Sequence, residues 1–288
     1  MRTTGLFTTA VKQVALKSNS QPISIIPFGD VHWGAPGFSK SHWRDFIKEA
    51  KANKNAYFLG MGDYCDFASS SERAALRAIN LHDASRELLE TVAAKQITDF
   101  RREIAWMGDR LLGVIGGNHT FEFADGKTAD ERLANLLDVP FLGVCAVIRL
   151  QVNYQGKCLS IDIFAHHGTG GGGTTEGNSI NQVAKLRQWI EADIYIEGHD
   201  HDRWCKPGKP RLIPTLNGKT GSLEVKERPT MLARSGSFLK AYEPGASSYI
   251  ADAAKGPCQL GAVEIQVRLR RPSQDGGRAL AFDFRGVA

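Results

Sequence analysis

Short apolar runs, each of a length that suits a buried strand, recur along the first two thirds of the chain. Four of them end at a glycine followed by a polar side chain, and another runs directly into two histidines. This pattern predicts strands whose ends are occupied by polar chemistry. The runs with their polar ends are "ISIIPFGDVH" from Ile23, "AYFLGMGD" from Ala56, "LLGVIGGNH" from Leu111, "IDIFAHHG" from Ile161 and "IYIEGHDH" from Ile194.

Between these runs, apolar residues recur at three- and four-residue spacing, which is typical of amphipathic helices. In "SHWRDFIKEAKA", Ser41 is a candidate N-cap. Helices are also expected over much of 70–108, around "DERLANLLD" and over "SINQVAKLRQWIEA". The segment 146–167 predicts a hairpin that turns near Gln155-Gly156.

The alternation of strands and helices predicts a layered α/β fold. The hairpin, and the short strands expected over 205–288, favour a sandwich of two mixed β-sheets flanked by helices. No internal repeat and no clear linker interrupt the chain, so we expect one domain over 1–288.

Composition narrows the class of protein only moderately. The 288 residues include 36 basic and 31 acidic side chains, and a net charge of +5 permits an anionic substrate without demonstrating one. Five dispersed cysteines with no C-x-x-C pair indicate reduced thiols. The N-terminus has no apolar signal-peptide core, and no apolar run reaches the roughly 20 residues that span a bilayer. We therefore expect a cytoplasmic protein without a membrane partner.

The polar strand ends contain most of the histidines. Of eight histidines, all except His42 and His82 lie in these clusters. His199 and His201 are two residues apart, so in an extended chain both point to the same side. Any one cluster could be a turn or a helix cap, but five in the same chemistry point to a shared site. The clusters are Asp30/His32, Asp63, Asn118/His119, His166/His167 and His199/His201.

Imidazole, carboxylate and amide oxygen, without thiolate, suit borderline to hard divalent ions. One ion needs about four to six ligands, and the candidates exceed that number. They suggest two ions that share a carboxylate, because a pair about 3.5–4 Å apart can clamp both the attacking and the leaving oxygen of a phosphate ester. Mn²⁺ is the first expectation, with Fe²⁺, Zn²⁺ or Ni²⁺ as alternatives.

The motifs "GDVHWG", "GDYCD", "GNHT", a strand-terminal "HH" and "GHDH" occur in this order over 29–201. They resemble the motif set D-x-H, G-D-x-x-D, G-N-H-[DE], H and G-H-x-H of the calcineurin-like metallophosphoesterases, with a general layout similar to phage-type members. Each motif is short, but five in the right order are specific. The resemblance implies an α/β sandwich and a dinuclear metal-dependent hydrolase of phosphate esters.

The resemblance also implies a role for each matching position. Asp30, His32 and His201 would hold one metal. Asn118, His199 and one of His166 and His167 would hold the other, and we favour His166. Asp63 would bridge the two ions, a metal-bridging hydroxide would be the nucleophile, and His119 would contact the phosphate and help to protonate the leaving group. Asp66 is expected to fix its loop.

Departures from the family pattern narrow the range of subfamilies that this chain resembles. Phe67 and Ala68 replace the Arg-Gly of the Ser/Thr protein phosphatases, and Thr120 replaces their glutamate. Asp66 stands where purple acid phosphatases have tyrosine. These departures argue against protein phosphatase activity and against a tyrosinate-iron centre. Reduced cysteines, mild basicity and the layout similar to phage-type members favour a phosphodiester, such as a nucleic acid or nucleotide, which the basic runs "KPGKPR" and "RLRRP" could contact.

Two alternatives to catalysis are open. A binding protein could retain this fold without activity, but such a protein would be expected to lose metal ligands, and every motif here retains its ligand types. Purely structural ions are the other alternative, although structural sites are normally closed and need fewer ligands. The oligomeric state does not follow from the sequence.

Overall fold

The computed structural model describes residues 5–16, 18, 20–67, 83–169, 175–218, 220–242, 256–270 and 281–287. In this part of the chain the helices are α1 (Lys40–Ala52), α2 (Asp83–Ile104), α3 (Ala129–Leu137) and α4 (Glu176–Lys185). Short 3-10 segments follow α2 and α4. The strands are β1 (Thr8–Ala15), β2 (Ile23–Phe28), β3 (Ala56–Gly60), β4 (Leu111–Val114), β5 (Cys145–Tyr154), β6 (Lys157–His166), β7 (Ile194–Glu197), β8 (Arg203–Pro207), β9 (Arg211–Leu216), β10 (Leu223–Arg228), β11 (Met231–Ser237), β12 (Gly261–Ala262), β13 (Glu264–Arg270) and β14 (Ala281–Val287).

Two large sheets form the centre of the molecule. One has seven strands in the order β1-β5-β6-β7-β11-β12, with β8 also paired to β11, and the other has five in the order β14-β13-β2-β3-β4. Both are mixed, because each contains parallel and antiparallel pairs. Strands β9 and β10 form a separate two-stranded ribbon.

Three apolar layers hold these elements together. The largest lies between the two sheets and includes Ile25, Leu59 and Ile163. A second layer, rich in aromatic residues such as Trp43, packs α1, α2 and α3 on the outer face of the five-stranded sheet. A third packs α4 on the outer face of the seven-stranded sheet. The predicted sandwich of two mixed sheets flanked by helices is therefore confirmed.

Local details agree with the sequence in most places. Trp43, Phe46 and Ala50 are buried on α1, as their spacing predicts. The N-cap is Ser39 and not Ser41, because the helix begins at Lys40, two residues earlier than a cap at Ser41 would require. Gln155 and its neighbour Gly156 have φ values of 49° and 73°, the left-handed pair that a two-residue hairpin turn requires.

Strand β1 was not predicted from the sequence. It pairs in parallel with β5 at the edge of the larger sheet, and most of its side chains are exposed or half-buried. In the C-terminal part, the described residues from Arg203 onward form strands β8 to β14 and no helix. Among the described residues, no helix is both long enough and apolar enough to span a membrane.

Strand direction determines where the polar clusters lie. Strands β2, β3 and β4 are parallel to one another, so their carboxyl ends lie at one edge of the five-stranded sheet. Strands β6, β7 and β11 are likewise parallel in the other sheet. A hydrogen bond from the amide of His199, after β7, to Oδ2 of Asp30, after β2, shows that these two edges meet.

Candidate metal centre

The loops that follow five strands bring the predicted residues together. Asp30 and His32 follow β2, and Asp63 follows β3. Asn118 and His119 follow β4, and the two histidines of the "GHDH" motif follow β7. Of the "HH" motif, His166 is the last residue of β6 and His167 follows it. Carboxyl ends of parallel strands are where α/β proteins commonly form ligand sites.

Backbone conformation sets these loops apart from the rest of the molecule. Seven non-glycine residues in the described part of the chain have positive φ, and Asp138 and Gln155 belong to a helix end and a hairpin turn. Each left-handed non-glycine residue costs of order 1–3 kcal/mol, and such residues concentrate at functional sites. The other five are Asp30 (47°), His32 (52°), Asp63 (51°), His199 (70°) and His201 (64°).

Hydrogen bonds between neighbouring loops hold these conformations. The amide of His32 donates to the carbonyl of Asp63 over 3.1 Å. The amide of His119 donates to Oδ1 of Asp63 over 2.8 Å. A Cβ at Gly117 would lie 2.0 Å from the same Oδ1, so only glycine leaves room for this carboxylate. The Asp63 side chain is thereby fixed between the loops.

The first cluster is defined by Asp30, His32 and His201. Their ligand atoms all lie within 4.8 Å of one another. Nε2 of His32 is 3.3 Å from Nε2 of His201, which is 3.4 Å from Oδ1 of Asp30. This Oδ1 is buried and has no hydrogen-bond partner among the described residues. Converging ring nitrogens beside a buried, unsatisfied carboxylate oxygen fit a bound cation.

The second cluster is defined by Asn118, His167 and His199. Oδ1 of Asn118 lies 2.8 Å from Nε2 of His167 and 2.9 Å from Nδ1 of His199. Oδ2 of Asp63 lies 3.5 Å from the same Nε2 of His167. One carboxylate and one amide oxygen thus meet two imidazole nitrogens, which is a donor set that fits a divalent ion.

The structure places His167 in this cluster, and His166 outside it, which corrects the choice made from the sequence. Side chains alternate along β6, and Ile161, Ile163 and Ala165 face the core between the sheets. His167 continues that series. His166 follows Phe164 on the other face, where its ring lies 5.7 Å from that of Trp189.

Hydrogen bonds to the remaining ring nitrogens orient the histidines. Nδ1 of His167 donates to the carbonyl of Met61 over 2.7 Å, because a carbonyl oxygen can only accept. When the ring is neutral, the lone pair of His167 is therefore on Nε2, which faces the cluster. Asp66 lies 3.3 Å from Nδ1 of His32 and 3.4 Å from Nδ1 of His119. Such contacts fix the tautomer of a metal-binding histidine.

Asp66 was expected only to fix its loop, and its contact with two histidines was missed. The spacing G-D-x-x-D could have suggested it, because it places a second carboxylate one short turn after Asp63. The contact of Met61 with His167 was missed as well, because it is made by the backbone carbonyl, which every residue type has.

Charges within the site shift several pKa values. Burial raises the pKa of Asp63, but the neighbouring His167 lowers it to well below its usual value. Burial lowers the pKa of His167, but the charge and hydrogen bond of Asp63 raise it to about 10. Burial lowers the pKa of His32 and of His199. An ionised Asp63 and neutral His32 and His199 are the forms that bind cations, and a cation at His167 would displace a proton.

Comparisons with known proteins add little about function. No family model and no curated protein matches this sequence. A solved structure of a Vps29 double mutant from Entamoeba histolytica is similar at 16% identity and a TM-score of 0.36, covering 92% of this chain and 99% of that chain. A conserved uncharacterized protein from Streptococcus pneumoniae, a predicted phosphoesterase, is similar at 13% identity and a TM-score of 0.32, covering 91% of this chain and 97% of that chain. Similarity at this level indicates neither the activity nor the substrate of this chain.

Proposed function

We propose that this protein is a dinuclear metal-dependent phosphoesterase that hydrolyses a phosphodiester. The main support is the pair of ligand clusters that flank one carboxylate. Asp63 contacts His167 of the second cluster, and its backbone carbonyl accepts from the amide of His32 in the first. One residue therefore links the two clusters, the second through its side chain and the first through its backbone.

The first cluster would hold one ion through Asp30, His32 and His201, and the second would hold another through Asn118, His167 and His199, with Asp63 shared. When bound, two divalent ions supply Lewis acidity toward a phosphoryl oxygen and lower the pKa of water. The oxygen and imidazole donors favour Mn²⁺, with Fe²⁺, Zn²⁺ or Ni²⁺ as alternatives.

His119 is proposed to hold the proton that the leaving oxygen needs. Its ring makes an edge contact with His32 at 4.6 Å between centroids, so it lies against the first cluster. Its Nε2 lies 4.0 Å from Oδ2 of Asp63, while its Nδ1 faces Asp66. Because Asp66 anchors one nitrogen, the other is directed toward the ion sites, where a proton can be delivered to a departing oxygen.

A nucleic acid or nucleotide is the substrate that we favour. In the run 206–211, the side chains of Lys206 and Lys209 are exposed, and they lie beside the start of β11, away from the clusters, where only a long nucleic acid could also meet them. Arg211 is instead paired with Asp193 over 2.7 Å, so it contributes to the fold. In the second run, Arg268 is exposed, and 271–272 lie outside the described residues.

Hydrolysis of bis-p-nitrophenyl phosphate by metal-stripped protein, resupplied with Mn²⁺, tests the proposal. The variant Asp63→Asn keeps a side chain that tolerates positive φ but removes the bridging charge. We expect its activity to fall about a thousandfold, because metal ions contribute several kcal/mol to such reactions. The matched control is Asp138→Asn, since Asp138 has the same left-handed conformation at the end of α3.

Metal-dependent activity that is lost in Asp63→Asn and kept in Asp138→Asn would support the proposal. If the wild type binds two ions but hydrolyses neither this diester nor oligonucleotides with any of the four metals, the diesterase proposal is wrong and a binding role is favoured.

A further inference from the structure

Arg234 is a buried arginine at the centre of the molecule. It lies on β11 opposite Glu197 of β7, and only 1% of its side chain is exposed. A charge buried to this degree is strongly unfavourable unless it is paired and hydrogen-bonded. Its partners therefore indicate why the position is occupied by arginine.

The guanidinium group contacts the "GHDH" segment at several points. Nη1 donates to the carbonyl of Gly198 over 2.6 Å. Nη2 is ion-paired with Asp200 at 2.9 Å and lies 3.5 Å from Glu197. Nη2 also donates to Gln182 of α4. One side chain thus links β11, α4 and the loop that contains both His199 and His201.

The bond to Gly198 acts on a peptide group that belongs to the site. The carbonyl of Gly198 and the amide of His199 are the two ends of one planar peptide. The amide end donates to Oδ2 of Asp30 over 3.0 Å. Arg234 therefore fixes one end of the peptide that, at its other end, orients a ligand of the first cluster.

The same contacts restrain two strained residues. His199 and His201 have φ values of 70° and 64°, and Asp200 lies between them. A larger residue than Gly198 would crowd the site, because a Cβ there would lie 3.1 Å from both Oδ2 of Asp30 and the carbonyl of His167. A loop that is held at Gly198 and Asp200 by one cation cannot relax toward ordinary φ values without breaking that ion pair.

We propose that Arg234 is a positioning residue that assembles both ion sites by holding the 198–201 loop in its left-handed conformation. This inference rests on the proposed function, since it presumes that the two clusters bind ions. Arg234 itself contacts no ion and no substrate. Its loss is expected to weaken ion binding at both clusters together, because His199 belongs to one and His201 to the other.

The test is a calorimetric titration of metal-stripped protein with Mn²⁺, with thermal unfolding recorded in parallel. Arg234→Met removes the charge, and Arg234→Lys keeps it but cannot contact Gly198 and Asp200 in the same fork geometry. We expect Mn²⁺ affinity about 10–100-fold weaker in Arg234→Met, as for other residues that orient metal ligands. Arg234→Lys should recover part of that loss, and excess Mn²⁺ should restore diesterase activity.

Arg228→Met is the matched control. Arg228 also binds a buried aspartate, Asp193, and a carbonyl, that of Ser160. Asp193 lies just before β7, at the opposite end of that strand from the "GHDH" loop. This variant should lower the unfolding temperature and leave Mn²⁺ affinity close to that of the wild type.

Wild-type Mn²⁺ affinity in folded Arg234→Met, or an equal loss in Arg228→Met, would overturn the inference while leaving the proposed function intact. If Arg234→Met does not fold, Arg234→Lys decides by the same titration. If neither folds, Gln182→Leu, which removes one anchor of the guanidinium, decides instead, and unchanged affinity counts against the inference. A wild-type protein that takes up none of Mn²⁺, Fe²⁺, Zn²⁺ and Ni²⁺ would contradict the proposed function itself, and the inference with it.

Discussion

The two ligand clusters are built alike but differ in their access to solvent. In the first cluster, Asp30, His32 and His201 are 0%, 1% and 6% exposed. In the second, His167 is 3% exposed, but Asn118 is exposed and His199 is half-buried. Loops at strand ends therefore provide one enclosed cluster and one more open cluster, and under the proposed function the open cluster is the one that a substrate would approach directly.

Covering contacts explain the enclosed site. The carbonyl of Asp30 accepts from the hydroxyl of Ser237 over 2.9 Å and from the amide of Phe238 over 3.0 Å. The end of β11 therefore closes over the loop that contains Asp30 and His32. From this contrast we expect the first ion to exchange slowly and the second to exchange quickly, and the following variants test that difference.

The largest effect is expected from removing one ligand of each cluster in turn. His32→Ala and His199→Ala should each reduce Mn²⁺ stoichiometry from two ions to one and lower diesterase activity by about a thousandfold. Calorimetry and the diester assay check both variants. The remaining ion should exchange quickly in His32→Ala and slowly in His199→Ala. Equal exchange rates in the two variants would show that burial does not distinguish the sites.

A smaller effect is expected from the neighbouring histidines after β6. His167→Ala should lower activity about a hundredfold and weaken the second ion, because Nε2 of His167 faces Asn118. His166→Ala serves as its control and should retain nearly all activity, since that ring faces Trp189. A large loss of activity in His166→Ala with little change in His167→Ala would instead make His166 the ligand of the second cluster, as favoured from the sequence.

The smallest effect is expected at Asp66. Asp66→Asn should lower activity about tenfold, because this carboxylate orients His32 and His119 without being part of either cluster. The loss should fall on turnover more than on Mn²⁺ stoichiometry, which a diester assay at saturating metal and a titration can separate. Loss of the first ion in this variant would instead make Asp66 a ligand.

Most of the fold could be predicted because several apolar strands end at glycines that are recognisable in the sequence. Gly29, Gly62 and Gly117 each follow an apolar run and precede a polar residue, so strand ends and candidate ligands were found together. The order of the sheets could not be predicted in the same way. Strand β1 is mostly polar and exposed, and only its pairing with β5 makes it a strand.

Candidate site residues could be named directly where adjacent residues differ in type, but could not be told apart where they do not. His166 and His167 are identical side chains on opposite faces of β6. Ile161, Ile163 and Ala165 indicate the inner face, but Phe164 is buried on the outer face, so the apolar pattern does not separate the two. Arg234 lies more than thirty residues beyond the loop that it holds, and only the parallel pairing of β7 with β11 brings them together.

The left-handed backbone at five ligand positions limits which side chains these positions can accept over evolutionary time. Aspartate, asparagine and histidine are the non-glycine residues that adopt this conformation most readily, and they are also ligands for divalent ions. Glutamate has the same charge as aspartate but lacks this backbone tolerance. An Asp-to-Glu exchange at 30 or 63 would therefore be disfavoured for two reasons. The longer side chain would displace the carboxylate, and glutamate tolerates the positive φ less well. The residue types in the motifs are therefore restricted by backbone conformation as much as by the chemistry of the metal.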